Sequence, residues 1–378
     1  MKKVQIIANI APLYVKPLWS LFIQSNDFKF SFMSSRTGHK GIRVLEKKDF
    51  DITNIEPDIC YVRNIYFGKV LIYQFGVISN ILRNKKDIYI FNADMYTIST
   101  WLATFLCKIR KKTIFFWGHG YYGNEKGIKK YCRLLFYKLA DYHFLYGNRA
   151  KEFLISFGFD SSKLFVVYNS LDYDTHKKIL ETTANLELLT LKKSFFTNNA
   201  KIPLILFVGR LTKEKKLNQL FLALNKLSKN GLFYNCLIVG DGKERNSLEN
   251  LVRRLNLTEH VYFFGESYDE SITAKLVMSS DVCVSPGNVG LTAMHSMGLG
   301  TPVITHDNFN HQMPEAECII HGVTGYLFKE NDLDSLADII QFGNYENVSM
   351  KRACVDIVEK YYNPRNQYNI IKEALLIV

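Results

Sequence analysis

A short stretch in the second half of the chain combines glycines with a predicted helix start, a pattern that could bind a phosphate. Val282–Ser285 is predicted to be a strand, and Pro286, Gly287 and Gly290 to form a tight turn whose backbone can approach a ligand closely. Leu291–Met297 is predicted to be a helix that begins at this turn. The unpaired N–H groups and partial positive charge at such a helix start attract phosphate. An ordinary strand–turn–helix connection, with glycines kept for packing, has the same pattern.

Three earlier predicted strands of this half also end in glycine turns. The turns contain Gly209, then Gly240 with Asp241, and then Gly265 with Glu266. Arg210 and Lys215 follow the first of these glycines and could clamp a diphosphate and stabilise a leaving group. Each turn alone is weak evidence, and the basic loop alone is also typical of a solvated surface. Four successive strands that end in this way favour a nucleotide-binding site.

The elements that must position these residues alternate between short β-rich runs and longer helical patterns. This alternation predicts an α/β protein with two doubly wound, Rossmann-like parallel sheets, whose ligand lies in the cleft at the carboxyl ends of the strands. One of the predicted helices is Gly68–Arg83. We predict a first domain at residues 1–180, a polar linker at 181–201, a second domain at 202–355 and a C-terminal helix at 356–378 that packs on the first domain.

Composition limits the class of protein. The chain has 378 residues, of which 47% are hydrophobic, enough for two domains with real cores. It has no run of eighteen apolar residues, and Gln5 and Asn9 interrupt its apolar start, so we expect a first strand rather than a signal peptide or a membrane span. Seven scattered cysteines without a CxxC pair predict thiols in a reducing cytosol.

The net charge of +12 is unevenly distributed. Residues 1–180 hold 28 Lys and Arg against 14 Asp and Glu, whereas residues 181–378 hold 20 against 22. A basic half attracts nucleic acid, anionic lipid or a phosphorylated substrate, or simply keeps the protein in solution. The chain has no recognisable nucleic-acid reader motif, so nucleic acid is not expected as a partner.

Taken in order, the motifs of the second half resemble those of retaining, nucleotide-sugar-dependent glycosyltransferases of the GT-B fold, most closely glycosyltransferase family 4, the group 1 type. The resemblance is dense over residues 202–340 and thin in the first half, where it rests on Leu139–Asp141 and Asn169–Asp172. The matching motifs are Gly209-Arg-Leu with Lys215, Val239-Gly-Asp-Gly242, Val261-x-Phe-x-Gly265, Ser280-Asp-Val-x-Val-Ser-Pro286, Gly300-Thr-Pro-Val-Ile304 and Gly322-x-Thr-Gly-Tyr-Leu-Phe328.

The resemblance implies roles for individual residues. Arg210 and Lys215 would hold the donor diphosphate, the loop at Gly265 and Glu266 would lie near the nucleobase, and His119 would lie near the donor sugar, although a structural loop histidine is the alternative for it. The backbone N–H groups of three residues would cap the diphosphate: Val289, Gly290 and Leu291. The implied catalytic set is His119, Arg210 and Lys215, and the implied donor-binding set is Gly209, Gly240, Asp241, Gly265, Glu266, Gly287, Asn288, Val289, Gly290, Leu291 and His295.

The chain departs from the family at several positions. Two glutamates eight positions apart are usual in the family, and here those positions are Gly287 and His295. His295 could bind ribose hydroxyls through a neutral ring nitrogen, whereas the duty of the first glutamate would pass to backbone, to Asn288 or to another loop. The family's glycine-rich loop after the first strand is also missing. Side chains of the polar segment 306–315 are predicted to contact the sugar or acceptor, or else to form a surface loop: Asn308, His311 and Glu315.

The expected chemistry needs no cofactor beyond the nucleotide sugar itself. Cations and a helix start can stabilise the leaving diphosphate without metal. Asp172-Tyr-Asp174 has the spelling of a metal-binding Asp-x-Asp motif but sits where the family has a structural turn, so no metal is expected. By resemblance, the sugar would be transferred with retention of configuration, and the departing phosphate would take the acceptor proton.

A helical stripe in the first half bears on the acceptor. Its basic neighbours are Lys129, Lys130, Arg133 and Lys138, and its apolar members are Ile128, Cys132, Leu135 and Leu139. This pattern is typical of a helix lying on an anionic membrane, and equally of a helix facing a core. With the basic cluster Lys108–Lys112, it favours a glycan or lipid-linked acceptor at the inner face of the cytoplasmic membrane, in surface polysaccharide, lipopolysaccharide or O-antigen synthesis.

Two other functions stay open. A nucleotide-sugar 2-epimerase would need several cleft carboxylates, of which the motif segments offer few. A non-catalytic relative that binds a nucleotide sugar or a partner transferase is favoured by the loss of both glutamates and opposed by Arg210 and Lys215. The residues do not fix the nucleobase, so UDP, GDP and dTDP donors are all considered.

Overall fold

The computed structural model describes residues 1–36, 43–50, 56–68, 70–121, 123, 125–197, 199 and 201–378. The chain divides into two compact units: Met1–Asp172 together with Asn363–Val378, and Tyr173–Tyr362. Over the described ranges, no helix is both long enough and apolar enough to cross a bilayer.

The first unit contains an eight-stranded sheet among its described residues, in the order β4-β3-β2-β1-β5-β6-β7-β8. Neighbouring strands run parallel, except that β3 and β4 form an antiparallel edge. The strands are β1 Lys2–Ile10, β2 Phe28–Ser35, β3 Ile59–Phe67, β4 Leu71–Phe75, β5 Ile88–Asn92, β6 Thr113–Gly118, β7 Tyr142–Leu145 and β8 Leu164–Val166. The helices between them are α1 Lys16–Ile23, α2 Val77–Arg83, α3 Ile98–Ile109, α4 Gly127–Tyr137 and α5 Asn148–Ser156.

The second unit contains a six-stranded parallel sheet in the order β11-β10-β9-β12-β13-β14. Its strands are β9 Leu204–Val208, β10 Asn235–Val239, β11 Val261–Gly265, β12 Val282–Ser285, β13 Val303–His306 and β14 Gly325–Phe328. Its helices are α6 Tyr173–Thr182, α7 Asn185–Phe195, α8 Leu217–Lys229, α9 Arg245–Arg254, α10 Glu270–Met278, α11 Leu291–Gly298, α12 Leu333–Phe342 and α13 Val348–Tyr361.

Apolar runs in the sequence explain both sheets. A parallel strand that is covered on both faces needs apolar side chains at successive positions, and β5 and β10 are buried almost throughout. Helices with one apolar face cover these strands: α8, for example, buries Leu217, Leu220 and Leu224 against the second sheet. The predicted α/β fold with two parallel sheets is therefore confirmed.

The last helix, α14 Pro364–Leu376, belongs to the first unit. It begins sharply because the Asn363 side chain accepts a hydrogen bond from the Asn366 N–H at 2.9 Å and Pro364 occupies the first turn. Ile371 and Leu375 are fully buried in the core of this unit. The expected return of the C-terminal helix to the first domain is therefore seen.

Two segments differ from their predicted structure. Gly68–Arg83, expected to be one helix, contains strand β4 and then helix α2, because Gly76 has a φ of +103° and breaks the helical run. The predicted linker at 181–201 contains helix α7, whose Phe195 ring lies 4.9 Å from that of Tyr262. The polar end of that linker includes Asn198 and Ala200, which lie outside the described residues.

The unit boundaries differ accordingly. The first unit ends at Asp172 rather than at residue 180, because helix α6 packs within the second unit. The second unit continues to Tyr362 rather than to residue 355, because helix α13 packs against α11.

Candidate functional site

The turn after β12 is shaped by a backbone contact at Gly287. The Gly287 N–H donates to the Lys215 carbonyl oxygen at 3.0 Å. A Cβ atom built on Gly287 would lie 1.9 Å from the Glu214 carbonyl oxygen and 2.8 Å from the Lys215 carbonyl carbon, so no side chain fits there. The absence of a glutamate at this position therefore follows from close packing between two loops of the second unit.

The neighbouring strand ends meet in the same way. The Gly209 N–H donates to the Val239 carbonyl at 2.9 Å, and the Gly240 N–H donates to the Gly265 carbonyl at 2.7 Å. A Cβ atom on Gly240 would lie only 2.0 Å from the Gly209 carbonyl oxygen. The predicted glycine turns thus lie side by side at the carboxyl edge of the second sheet, and at Gly240 and Gly287 the close contact is between two backbones, as in the packing alternative.

Lys215 is the cation that the structure fixes at this turn. Its Nζ atom donates to the Asn288 carbonyl oxygen at 2.7 Å and to the Asn288 Oδ1 atom at 3.0 Å. Burial lowers the pKa of Lys215, and the charge of Arg210 lowers it further, whereas Glu315 and Glu214 oppose the shift. Arg210 is exposed, whereas Lys215 is partly buried and held by Asn288.

The helix start after the turn offers fewer donors than predicted. The Val289 N–H donates to the Gln312 Oε1 atom at 2.7 Å, so this amide is not open to a phosphate in this structure. The Gln312 amide nitrogen donates in turn to Thr305 at 2.8 Å. Helix α11 itself begins without a side-chain cap, with Gly290 at the capping position, which leaves the first-turn N–H of Leu291 for an anion.

His295 is buried and engaged within the second unit. Its Nε2 atom lies 2.7 Å from Glu270 Oε1, and His176 Nε2 lies 2.9 Å from the same oxygen. Burial alone would raise the pKa of Glu270, but the hydrogen bonds from His176 and His295 lower it to about 2. The predicted ribose ligand is therefore paired with an ionised carboxylate that the sequence analysis did not identify. Three residues far apart in the chain carried no spacing signal for this pairing.

Two acidic residues of the predicted donor-binding set, Asp241 and Glu266, bond to partners in their own segments. Asp241 accepts from the Gly242 N–H at 2.6 Å and from Arg245 at 2.9 Å, and both interactions lower its pKa. Glu266 is exposed and accepts from the Tyr268 hydroxyl at 2.9 Å. Both residues lie at strand ends, as predicted.

The predicted contact residues of the polar segment after β13 lie at two separate places. Asn308 donates to Glu330 at 2.7 Å, and His311 lies 2.9 Å from the same carboxylate, whose pKa falls to about 2 despite burial because Lys216, Asn308 and His311 bond to it. Glu315 is buried instead beside the turn after β12, where a Cβ atom on Gly290 would lie 3.9 Å from its Oε2 atom. Of the three predicted sugar or acceptor residues, only Glu315 is thus brought to that turn.

His119 belongs to the first unit and follows strand β6. It lines a cavity of about 510 Å³, and its ring lies 5.0 Å from that of Tyr146. Burial lowers the pKa of His119 to about 4, with a smaller contribution from the positive charge of Arg133. His119 is therefore neutral near pH 7. Aromatic and amide side chains also line the cavity, among them Tyr14, Trp19, Trp117 and Gln367.

A buried ion pair close to His119 was not predicted from the sequence. Arg133, expected among the basic neighbours of the apolar stripe, is buried and forms a two-point interaction with Glu125, one contact of which is 2.7 Å long. Lys129 binds the same carboxylate at 3.1 Å. In the sequence, the four-residue spacing between Glu125 and Lys129 was the feature that could have indicated an ion pair here. Together with His119, these residues line a second cavity of the first unit.

Substitution of Gly287 tests the packing at the turn. We expect Gly287→Glu to lower the melting temperature by several degrees or to prevent folding, because the new Cβ would overlap the Glu214 carbonyl. Gly290→Ala is the control, since its Cβ would make only ordinary contacts from 3.6 Å outward. Thermal unfolding followed by circular dichroism measures both. A stable Gly287→Glu protein would contradict the assigned contact.

Comparisons with known proteins show what parts of the chain resemble. Residues 191–343 match the family model described as glycosyl transferases group 1. An uncharacterized glycosyltransferase, MJ1607 of Methanocaldococcus jannaschii, is 31% identical over 181 residues, which are 46% of this chain and 43% of that protein. The N-acetyl-alpha-D-glucosaminyl L-malate synthase of Bacillus anthracis is 27% identical over 203 residues, 49% of this chain and 51% of the relative. The chain thus spans about half the length of these curated relatives.

Similarity of fold extends over the whole chain. Anabaena Alr3699/HepE in complex with UDP has a TM-score of 0.75 at 16% identity and covers all of both chains. The apo form of the lipopolysaccharide outer core galactosyltransferase WaaB has a TM-score of 0.71 at 18% identity and covers 99% of both chains. At these identities the likeness concerns the fold. Residues 191–343 thus match the group 1 glycosyltransferase family, and the chain as a whole has the GT-B fold.

Proposed function

We propose that the chain is a retaining glycosyltransferase that moves a sugar from a nucleotide-diphosphate sugar to a glycan or lipid-linked acceptor. The observation that carries the proposal is the fixed cation at the phosphate turn: Lys215 is held by two oxygens of Asn288, next to the uncapped start of α11. Family membership of the segment that contains this turn supports the same function.

The donor is proposed to bind at this turn through its diphosphate. We propose that Lys215, Arg210 and the Leu291 N–H at the start of α11 together face the diphosphate, because their positive charge suits the negative charge that develops on the leaving group. These groups need no metal ion at the diphosphate. Alr3699/HepE is described in complexes with UDP, with UDP and glucose and with UDP-glucose, so a uridine nucleotide is the first donor to test, before GDP and dTDP.

Retention of configuration is proposed here from the resemblance to the family. Because no side chain fits at Gly287, this position offers no nucleophile for a double displacement. We propose that the acceptor hydroxyl attacks on the face that the diphosphate leaves and that the departing phosphate takes its proton. Glu315, buried beside the turn, is proposed to orient the sugar in place of the missing glutamate.

The first unit is proposed to bind the acceptor at an anionic membrane surface. Helix α4 buries Arg133, Phe136 and Tyr137, whereas Ile128 and Leu135 are 82% and 60% exposed. Most of the apolar stripe thus faces outward, which favours the membrane interpretation over the core-facing one; only Leu139 packs on the core. Helix α3 adds an exposed apolar face beside Lys108–Lys112, made of Ile98, Leu102, Phe105 and Ile109.

A non-catalytic nucleotide-sugar-binding relative is the second candidate. It is favoured by the absence of any side chain at Gly287 and by the pairing of His295 with Glu270. Such a protein would bind the nucleotide sugar and release no nucleotide when an acceptor extract is added.

Donor binding can be tested with Lys215→Ala and the matched control Lys213→Ala, an exposed lysine of the same loop. We expect UDP to raise the melting temperature of the wild type and of the control. Its affinity for Lys215→Ala should fall about ten- to a hundredfold, because a charge-assisted hydrogen bond is lost. Thermal shift and calorimetry give both quantities. If UDP, GDP and dTDP all fail to bind the wild type, the donor site is wrong.

The neutral state of His119 predicts a pH profile. Because its pKa lies near 4, His119 should act as an uncharged hydrogen-bond partner throughout pH 5.5–8. We expect His119→Ala to lower kcat about a hundredfold, with the shape of the pH–rate profile unchanged over that range. His119→Gln should recover part of the rate. If the wild-type rate changes with pH near pH 6.5 and this change is absent from His119→Ala, the proposed role is contradicted.

Membrane contact can be tested with the pair of substitutions Ile128→Ser and Leu135→Ser. We expect the double variant to bind vesicles of equal parts phosphatidylglycerol and phosphatidylcholine about tenfold more weakly, since two exposed apolar side chains no longer insert. Leu189→Ser, at an exposed leucine of the second unit, is the control. Cosedimentation measures the bound fraction, and equal binding of all three proteins would exclude α4 as the contact surface.

A further inference from the structure

Three side chains from three helices of the second unit meet at one carboxylate oxygen. They are His176 on α6, Glu270 at the start of α10 and His295 on α11, and their candidate ligand atoms all lie within 4.8 Å of one another. The two histidine side chains are only 5% and 11% exposed, and their ring centroids are 4.9 Å apart. Glu270 is 44% exposed, so the cluster is open to solvent on the side of the carboxylate.

Local structure explains why the carboxylate lies there. Asp269 caps helix α10 by accepting from the Ser271 N–H at 2.8 Å, which makes Glu270 the first residue of the helix. A carboxylate in the first turn is stabilised by the partial positive charge of the helix start. The ionised form of Glu270 is thus maintained by its helix as well as by the two histidines.

The donor set fits a transition-metal ion. Imidazole nitrogens and a carboxylate are preferred Zn²⁺ ligands, and two histidines with one glutamate form a known type of three-ligand site. Bonds of about 2.0–2.2 Å place tetrahedral ligand atoms roughly 3.3–3.6 Å apart. Here each Nε2 atom lies 2.7 or 2.9 Å from Glu270 Oε1, and the widest separation of ligand atoms does not exceed 4.8 Å. Side-chain shifts of about 1 Å or less would therefore accommodate the ion.

We propose that His176, Glu270 and His295 form a metal site that takes a divalent transition-metal ion, with Zn²⁺ as the best chemical match and water in the fourth position. Binding replaces the hydrogen bonds within the cluster, so each histidine binds through a neutral Nε2 atom and any proton on it is released. The ion would cross-link α6, α10 and α11. The site is separate from the metal-free diphosphate contacts proposed above, and the inference does not depend on glycosyl transfer.

Zinc binding to the whole chain tests the proposal. After treatment with EDTA and dialysis, the wild type should bind one equivalent of Zn²⁺ in calorimetry, and its melting temperature should rise with added Zn²⁺. His176→Ala and His295→Ala should each weaken binding at least tenfold. Glu270→Gln, which keeps the shape of the side chain and removes its charge, should do the same. His311→Ala is the control, because His311 also pairs with a carboxylate, Glu330, but in a cluster with one histidine.

Cobalt gives a second readout that does not depend on stability. Co²⁺ bound by the wild type and by His311→Ala should show the intense visible absorption of a tetrahedral ion, and this band should be absent from His176→Ala and His295→Ala. Circular dichroism identifies any variant that fails to fold, and Glu270→Gln then decides the result. Absence of Zn²⁺ binding to the wild type, or equal binding to all variants, would overturn the proposal and leave the cluster as a hydrogen-bonded ion pair.

Discussion

The second unit depends on how closely its strand-end loops approach one another. The Glu214 carbonyl lies so close to Gly287 that a side chain on this glycine would collide with it. The Gly209 carbonyl lies almost equally close to Gly240. The contact at Gly287 brings the loop after β9 onto the turn after β12, so that Lys215 can reach Asn288. The chemistry proposed for the chain follows from that contact, since it joins a fixed cation to a helix start. The same contact excludes a carboxylate from position 287.

Burial decides which charges remain available in each unit. Lys215 loses solvent contact, and two oxygens of Asn288 compensate for this loss. These hydrogen bonds hold the Lys215 ammonium group in one position. His119 is desolvated near Arg133 and is therefore neutral. Arg133 is buried only because Glu125 provides a two-point partner, as expected for a buried ion pair. Each unit thus contains one polar group of defined charge among the residues proposed to act: His119 in the first unit and Lys215 in the second.

Side-chain contacts hold helix α11 in place at its start and one turn further along. At its start, the side chain of Gln312 occupies the Val289 N–H and connects this turn to β13 through Thr305. One turn further, His295 joins α11 to the start of α10 through Glu270. These contacts hold the helix whose N–H groups are proposed to face the diphosphate. The position of the proposed diphosphate contacts therefore depends on side chains outside the turn after β12.

The sequence by itself determined the architecture and the order of strand, glycine turn and helix at β12 and α11. Apolar runs between helical patterns predicted both parallel sheets, and the glycines at strand ends predicted tight turns. The structure shows that the close approach at Gly240 and Gly287 is to a neighbouring loop, which leaves no room for a Cβ atom. Tertiary structure alone decided the partners of His295, of Arg133 and of the Val289 N–H, since each partner is distant in sequence or set by packing. It also decided that Ile128 and Leu135 face outward, because amphipathic spacing defines a face of a helix but not what that face contacts.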